Sequence, residues 1–257
     1  MSAIDVPSNG VTPDFRILPV GDTAISVEFG DSISRETNQK VLDLAAGIEA
    51  AGISGIVETA ATFRSLLVMR DPTQISFEAL ARAISAIPRK TTLRGTAART
   101  WRIPVCYDRA VAEDIEEVAA RVGVSSDEFA SIHASVAHHV YMLGFLPGQP
   151  YLGDLPERIS LPRRLAPRAK VAAGSVGIAM RMTCVFPRES PCGLNVVCRT
   201  PAPLSARALD GAPSLAPGDG VRFRPITLGE FERLAGEASA GASILELEAP
   251  APSVQAT

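Results

Sequence analysis

Several features that readily identify a protein's function are missing from this chain of 257 residues. It has no strong charge of one sign, because its net charge of -3 gives the whole protein little attraction to nucleic acid or to anionic membranes. No apolar run approaches the roughly 20 residues that span a bilayer, and the N-terminus lacks a basic segment followed by an apolar one. We therefore expect a cytoplasmic protein that binds neither nucleic acid nor membrane.

The cysteines and serines also lack the spacings that mark common sites. The four cysteines form no CxxC pair, which predicts free thiols with no disulfide and no metal: Cys106, Cys184, Cys192 and Cys198. Ser175 has no GxSxG spacing and no visible neighbouring base, so a hydrolase triad is not indicated. The sequence therefore predicts neither a metal nor a covalent cofactor in this chain.

The composition is that of a globular protein with a substantial core. With 46% hydrophobic residues, the chain is long enough for one large domain or two smaller ones, and we favour two. Alternating segments and amphipathic helices dominate its first third. The pattern predicts strands over residues 15–19, 24–29, 55–60 and 65–69, a helix from Ser34 to Gly52, and a second helix over residues 77–87.

A strand over residues 101–105 would complete the order β-α-β-β-α-β, counted from residue 24. This is the order of a ferredoxin-like α/β sandwich, although which domain owns the last strand stays open. The polar segment between residues 89 and 100 has no periodicity and predicts the domain boundary. We therefore predict an N-terminal α+β domain over residues 1–90 and a C-terminal domain over residues 100–248.

Helical patterns become rare in the second domain. Two short helices are predicted, over residues 113–122 and from Ser126 to Ala134. The rest of the domain consists of short apolar runs separated by turn residues, namely 174–180, 182–186, 194–198, 220–223 and 243–247. Short strands at this spacing are typical of a β-barrel or sandwich, so the domain is predicted to be mostly β.

Residues 144–203 contain an unusual density of glycine, proline and basic side chains. Proline fixes φ and glycine permits conformations that other residues avoid, so this segment is predicted to form shaped loops. Three acidic residues stand against eight basic ones, which are Arg158, Arg163, Arg164, Arg168, Lys170, Arg181, Arg188 and Arg199. This excess of positive charge favours an anionic ligand.

The same segment carries a family resemblance. The motifs GFLPGQPYLG, LPRRLAPRAKVAAGSVGIA, RESPCGL and CRTP resemble the B subunit of prokaryotic 5-oxoprolinase, also called allophanate hydrolase subunit 1. The match continues through GDTAISVEFGD, SLLVMRDP, IPVCY and GDGVRFRPI, and so covers nearly the whole chain. The family also includes an inhibitor of a histidine kinase.

This resemblance implies a fold and a function. The implied architecture is α+β, with the N-terminal ferredoxin-like α/β sandwich followed by a C-terminal cyclophilin-like β-barrel. The implied role is to act beside a homologous C subunit, with an A subunit as a further candidate partner, on a small cyclic amide or carboxylate. In the family the complex opens 5-oxoproline to glutamate with ATP. The alternative is a non-catalytic regulator that binds another protein, like the kinase inhibitor.

The candidate catalytic residues are His133 and Arg168. A histidine can carry a proton near neutral pH, although on a helix it is at least as often structural. An arginine beside proline-stiffened backbone can clamp a carboxylate through charge-assisted hydrogen bonds. The candidate substrate-binding residues are Pro147, Gly148, Tyr151, Arg163, Gly174, Ser175 and Arg199.

These binding candidates have alternative interpretations. Gly174 and Ser175 could present backbone amides to an anion, or they could belong to an ordinary glycine-rich turn. Pro147, Gly148 and Tyr151 favour a pocket wall or a contact with a partner subunit.

The chain also departs from the family's pattern. Five residues replace a family Phe, Gly, Gly, Gly and Trp, in that order: Gln149, Asp154, Cys184, Cys192 and Leu194. These departures lie in the densest motifs, whereas the motifs elsewhere keep the expected pattern. They imply an activity that is changed or lost while the fold is unaffected.

Overall fold

A computed structural model describes residues 14–88, 99–204 and 214–248 of the chain. The chain divides into two compact units, residues 1–97 and 98–257. Most of the polar segment that the sequence predicts as a boundary lies outside the described residues. Each unit has its own sheet and its own hydrophobic core, so each is described by itself.

The first unit is a four-stranded antiparallel sheet with two helices. Its elements are β1 (Arg16–Val20), β2 (Ala24–Glu28), α1 (Arg35–Ala51), β3 (Ile56–Ala61), β4 (Ser65–Arg70) and α2 (Phe77–Ser85). The strand order is β1-β2-β4-β3, with every neighbouring pair antiparallel. This is the spatial arrangement of a ferredoxin-like sheet, in which β1 occupies the place expected for a strand after α2.

Local signals fix the first helix. The Ser34 side chain accepts a hydrogen bond from the Thr37 amide at 3.0 Å, which satisfies a donor that the first turn leaves unpaired. Gly52 ends the helix with φ 55°, a left-handed conformation that glycine adopts at little cost. The apolar positions between these caps face the core, where Val41, Leu44 and Ile48 are buried. The helix predicted between Ser34 and Gly52 is therefore confirmed.

The second unit is a β-barrel with three helices. Its strands are β5 (Thr100–Cys106), β6 (His138–Leu143), β7 (Pro150–Leu152), β8 (Arg168–Val171), β9 (Ser175–Ala179), β10 (Met182–Val185), β11 (Ser190–Cys192), β12 (Asn195–Arg199), β13 (Gly220–Ile226) and β14 (Glu246–Leu247). Its helices are α3 (Ile115–Val122), α4 (Ser126–Ser135) and α5 (Leu228–Ser239), and residues Glu157–Ile159 form a 3-10 turn.

Seven strands close the barrel in the order β12-β9-β10-β7-β6-β13-β5, and β5 returns to β12 through the pair Arg199 and Cys106. The strand at residues 101–105, whose domain the sequence leaves open, thus belongs to the barrel, where β5 runs parallel to β13. Strands β8 and β11 form a separate two-stranded sheet. The predicted α+β class with a C-terminal barrel is confirmed.

The helix α5 contradicts the expectation that helices end early in the second domain. Its signals are the Thr227 side chain, which caps the Glu230 amide at 3.2 Å, and the buried pair Phe231 and Leu234. Two internal glycines lower its intrinsic helix propensity and mask the pattern.

Among the helices of the described ranges, none combines the length and hydrophobicity needed to cross a bilayer.

Candidate functional site

Residues 162–168 are here called the arginine loop. Most of their basic side chains pair with acidic groups of the protein. Their common partner is Asp114, whose side chain is only 2% exposed. Its carboxylate accepts hydrogen bonds from Arg164 at 2.8 Å and from both terminal nitrogens of Arg168 at 2.6 Å. It also accepts one from the Val196 amide at 2.7 Å. Asp114 therefore joins the arginine loop to strand β12.

In this arrangement Arg168, a predicted catalytic residue, is paired with carboxylates of the protein itself. Its Nε lies 2.9 Å from Glu113 as well, so all three guanidinium nitrogens have carboxylate partners. The hydrogen bonds with Asp114 raise the pKa of Arg168, against the opposing effect of burial. A role for Arg168 in catalysis stays a prediction.

Arg163 differs from its neighbours. It is exposed, and it makes no hydrogen bond or ion pair with any described residue. In the segment 144–203 this is true of only one other described basic residue, Arg188. Arg163 is thus the guanidinium of the arginine loop that is available to a ligand.

A small apolar cluster borders the arginine loop, because the Arg164 amide donates at 3.0 Å to the carbonyl of Gly193, which lies between the cluster residues Cys192 and Leu194. Its buried members are Val171, Cys184, Phe186, Cys192 and Val196, with Tyr151 and Leu194 half-buried at its margin. Cys184 pairs with Tyr151 on strand β7 and with Gly177 on strand β9, so the cluster lies on one face of these strands. A Cβ placed on Gly177 would lie 2.9 Å from that of Leu194, which shows how closely this face is packed.

The charge of Arg163 affects the pKa of two groups in the cluster. Burial raises the pKa of the Cys184 thiol to about 12, and the positive charge of Arg163 works against this rise. Burial and the neighbouring Cys184 raise the pKa of Tyr151, and again Arg163 opposes the change. At neutral pH Tyr151 is therefore a neutral phenol and Arg163 a guanidinium, and both kinds of group are hydrogen-bond donors. Such a pair suits a carboxylate.

The loop between β6 and β7 holds three further candidates. Gly144 donates its amide to the Gln149 carbonyl at 3.0 Å, and this contact closes the loop. Pro147 is exposed at its tip, and Gly148 has φ 80°, which favours glycine. The loop leads directly into Tyr151. The predicted role of Pro147 and Gly148, as a pocket wall or a contact with a partner subunit, stays a prediction.

His133 lies on the other side of strand β10. Its ring is fully buried between Phe129 and Phe223, with both interplanar angles at 16°. Its Nε2 lies 3.4 Å from the Thr183 hydroxyl. Neighbouring residues in a strand point to opposite faces, so Thr183, which lies near His133, and Cys184, which belongs to the apolar cluster with Tyr151, face opposite sides of β10. The structure therefore does not bring His133 together with Tyr151.

The environment of His133 favours its neutral form. Burial lowers its pKa well below 6.5, and the nearby His138 lowers it further. The Tyr107 hydroxyl lies 2.7 Å from its Nδ1. The histidine is thus held among aromatic rings, and its role in proton transfer stays a prediction.

Gly174, Ser175 and Arg199 meet where strands β9 and β12 pair. The Gly174 amide donates to the Phe186 carbonyl at 2.7 Å, and the Ser175 amide donates to the Ala172 carbonyl at 3.2 Å. The Arg199 Nε donates to the Ala173 carbonyl at 2.9 Å, and its guanidinium lies 5.5 Å from the centre of the Phe231 ring. In this structure these groups satisfy the protein's own backbone, and their roles in binding stay predictions.

Two residues of this site are missing from the sequence-based candidates. Asp114 organises the arginine loop, and Asn195 donates its side-chain amide to the Pro162 carbonyl at 3.1 Å. The only local signal for Asp114 is an acidic residue before a helix, which usually indicates a helix cap. Its arginine partners are 50 and 54 residues away, a separation from which no local pattern predicts contact.

Comparison with known proteins identifies the family of this chain. Residues 15–214 match the carboxyltransferase domain, subdomain C and D. The chain is 34% identical over 230 residues to the B subunit of Bacillus subtilis 5-oxoprolinase, an alignment that covers 84% of this chain and 95% of the relative. It is 34% identical over 211 residues to the 5-oxoprolinase B subunit of Escherichia coli O157:H7, covering 82% and 95%.

Solved structures give a consistent result. The crystal structure of TTHA0988 superposes with a TM-score of 0.70 and 32% identity, covering 79% of this chain but only 40% of that one. The Kluyveromyces lactis urea carboxylase shares the fold, with a TM-score of 0.76 at 21% identity over 96% of this chain and 25% of that one. The chain therefore belongs to the carboxyltransferase subdomain C and D family and, within it, to the B subunits of 5-oxoprolinase.

Proposed function

We propose that this chain is a non-autonomous subunit of an ATP-dependent amide hydrolase of the 5-oxoprolinase type. It acts beside a homologous C subunit, with an A subunit as a further candidate partner, on a small cyclic amide or carboxylate. The observation that carries this proposal is the match to a 5-oxoprolinase B subunit along 95% of the relative's length. ATP is assigned to the complex and not to this chain.

The burial of the candidate nucleophiles supports the proposal that the chain depends on partner subunits. All four thiols are buried, and burial raises the pKa of each of them. A thiol with a raised pKa supplies little thiolate at neutral pH. Ser175 is only 1% exposed. These residues are therefore poor nucleophiles in the isolated chain.

Arg163 and Tyr151 support a carboxylate ligand. A hydrogen bond to a charged group contributes roughly 1.5–3 kcal/mol, and the apolar cluster beside these residues can contact the hydrocarbon part of a small ring. We assign Arg163 to the carboxylate and the Tyr151 hydroxyl to a second acceptor oxygen. A cyclic amide that carries a carboxylate has both features.

The proposal is tested by reconstitution. The chain is co-expressed with the C and A subunits of the same organism, and the purified complex is assayed for ATP-dependent release of glutamate from 5-oxoproline. We expect co-elution with the C subunit in size exclusion and no turnover by the chain alone. Separate elution at micromolar concentration, or binding to a histidine kinase instead, would favour the alternative of a protein-binding regulator.

The anion site is tested by calorimetry with 5-oxoproline on the same complex. We expect Arg163→Ala to weaken binding about 10- to 100-fold, the loss of one charge-assisted interaction. Arg188→Ala is the matched control, because Arg188 is also exposed and unpartnered among described residues but is not one of the charges that shift the pKa of Tyr151 or Cys184. Equal affinities for all three proteins would contradict the assignment.

The departures from the family pattern predict that 5-oxoprolinase activity is changed or lost in this member. Cys184, Cys192 and Leu194 all belong to the apolar cluster beside Arg163, so their side chains alter the proposed pocket. We expect the combined variant Cys184→Gly, Cys192→Gly and Leu194→Trp to gain glutamate release in the complex. The control variant Cys106→Ala with Cys198→Ala changes buried thiols elsewhere and should gain nothing. Robust turnover by the unmodified complex would show that the activity is retained.

A further inference from the structure

We infer that Asp114 is a positioning residue: it fixes the arginine loop against strand β12 and thereby sets where the guanidinium of Arg163 meets a carboxylate ligand. This inference rests on the proposed function for the identity of the ligand. The attachment of the loop itself follows from the contacts of Asp114 alone.

Asp114 binds the loop although it lies where it could cap a helix. It occupies the N-cap position of α3, yet its side chain makes no capping hydrogen bond. Its carboxylate instead accepts four hydrogen bonds, from Arg164, from Arg168 twice and from the Val196 amide. A buried carboxylate with this number of donors is satisfied, and its arginine partners are held in fixed directions.

The loop is attached on both sides of Arg163. Before it, the Pro162 carbonyl accepts a hydrogen bond from Asn195 at 3.1 Å. After it, the Arg164 amide donates to the Gly193 carbonyl at 3.0 Å, and the Arg164 side chain reaches Asp114. The backbone of Arg163 is thus held between two anchored neighbours.

The distribution of charge around the loop adds to the anchoring of Arg163. Asp114 and Glu113 accept the donors of Arg164 and Arg168, which leaves Arg163 as the arginine of the loop without an acidic partner among the described residues. A ligand that binds a pre-shaped loop loses less conformational entropy than one that must order it. Asp114 therefore contributes to affinity without touching the ligand.

A double-mutant cycle separates this role from a general effect on folding. Binding of 5-oxoproline to the complex is measured by calorimetry for wild type, Asp114→Asn, Arg163→Ala and the double variant. We expect Asp114→Asn to weaken binding about tenfold in the wild-type background and less than about twofold beside Arg163→Ala, because interacting residues are not additive. An equal loss in both backgrounds would overturn the inference.

Asp219 supplies a matched control. It is 5% exposed and accepts hydrogen bonds from Arg99 at 3.1 and 2.8 Å, from Trp101 at 2.8 Å and from the Ala216 amide at 2.9 Å. Asp219→Asn thus removes a comparable buried carboxylate from a different part of the unit. We expect it to lower the melting temperature but to leave the affinity for 5-oxoproline unchanged. A similar loss of affinity in both Asp variants would count against Asp114.

A readout that needs no ligand keeps this test separate from the proposed function. Hydrogen exchange over residues 162–168, followed by mass spectrometry on the full chain, should accelerate in Asp114→Asn and not in Asp219→Asn. If Asp114→Asn does not fold, Arg164→Gln removes one of its contacts and takes its place. Unchanged exchange would overturn the inference, whereas accelerated exchange without any binding by wild type would contradict only the proposed ligand.

Discussion

Backbone conformation at single residues distinguishes the loops of the second unit. Among the described residues, three non-glycine residues have positive φ: Phe145 at 67°, Asp154 at 69° and Met180 at 53°. Asp154 stands where the family pattern has glycine, and aspartate tolerates this conformation better than most residues. Cys184 and Cys192, which also replace family glycines, are not among them, so those two replacements cause no strain of this kind.

Phe145 gives a residue-scale prediction about stability. Its side chain is 67% exposed, so its ring contributes little burial, while its positive φ is costly for any residue with a Cβ. We expect Phe145→Gly to be more stable than Phe145→Ala by about 1 kcal/mol in urea unfolding. Leu165, fully exposed and without a positive φ, is the control, where alanine should equal or exceed glycine. The same order at both positions would contradict the argument.

His133 predicts a dependence of stability on pH. Because its pKa is lowered in the folded state, the unfolded chain binds the proton more readily, and stability falls as the pH drops below 6.5. Above pH 6.5 the contribution is fully present. We expect His133→Gln to show a smaller loss of melting temperature between pH 7.5 and about pH 5.5 than wild type. Identical pH profiles for wild type and His133→Gln would exclude this role.

A close backbone contact lies where strand β9 begins and strand β12 ends. Gly174 precedes β9, with φ 81°, and a Cβ there would lie only 2.1 Å from the carbonyl oxygen of Thr200, just after β12. Backbone cannot move aside as a flexible side chain can. The glycine in AGSVG is therefore required by the approach of two strands, whatever its part in binding.

This contact gives an element-scale prediction. We expect Gly174→Ala to destabilise the second unit by about 3 kcal/mol, since it combines a backbone clash with an unfavourable φ. Gly193→Ala is the control, because the nearest atom to its Cβ would be Pro167 Cγ at 4.0 Å and its φ is not positive. The control should change stability by less than about 0.5 kcal/mol in chemical denaturation. Comparable losses in both variants would refute the interpretation.

At the scale of the whole molecule, two units carry separate cores. The first core joins residues of β1, β2, α1, β4 and α2, and the second joins residues of the barrel strands with residues of α3 and α4. Their sheets share no strand, since β5 pairs with β12, β13 and β14. A compact unit with its own sheet and core is expected to fold by itself.

This organisation predicts the behaviour of fragments. Residues 1–97 and 98–257, expressed separately, should each unfold in a cooperative transition when followed by circular dichroism. A fragment of residues 1–63 is the control, because it lacks β4, which pairs with both β2 and β3 at the centre of the sheet. It should show no such transition. Loss of cooperative unfolding in the fragment 1–97 would contradict independent folding.

The sequence by itself determined the features that depend on local pattern. The cap residues Ser34 and Gly52 delimited the first helix, the short apolar runs indicated a barrel or a sandwich, and the motifs of residues 144–203 indicated the family, whose resemblance implied the barrel. Each of these signals acts within a few residues, or along a recognisable motif, so no tertiary contact is needed to read it.

Only the tertiary structure decided which distant side chains meet. It assigned residues 101–105 to the barrel through pairing with β13, and it joined Arg168 to Asp114 across 54 residues of sequence. It also placed His133 and Tyr151 on opposite sides of β10. The reason is physical: strand partners and ion pairs are selected when the barrel closes, and local propensity is the same for an arginine that holds a loop as for one that binds a ligand.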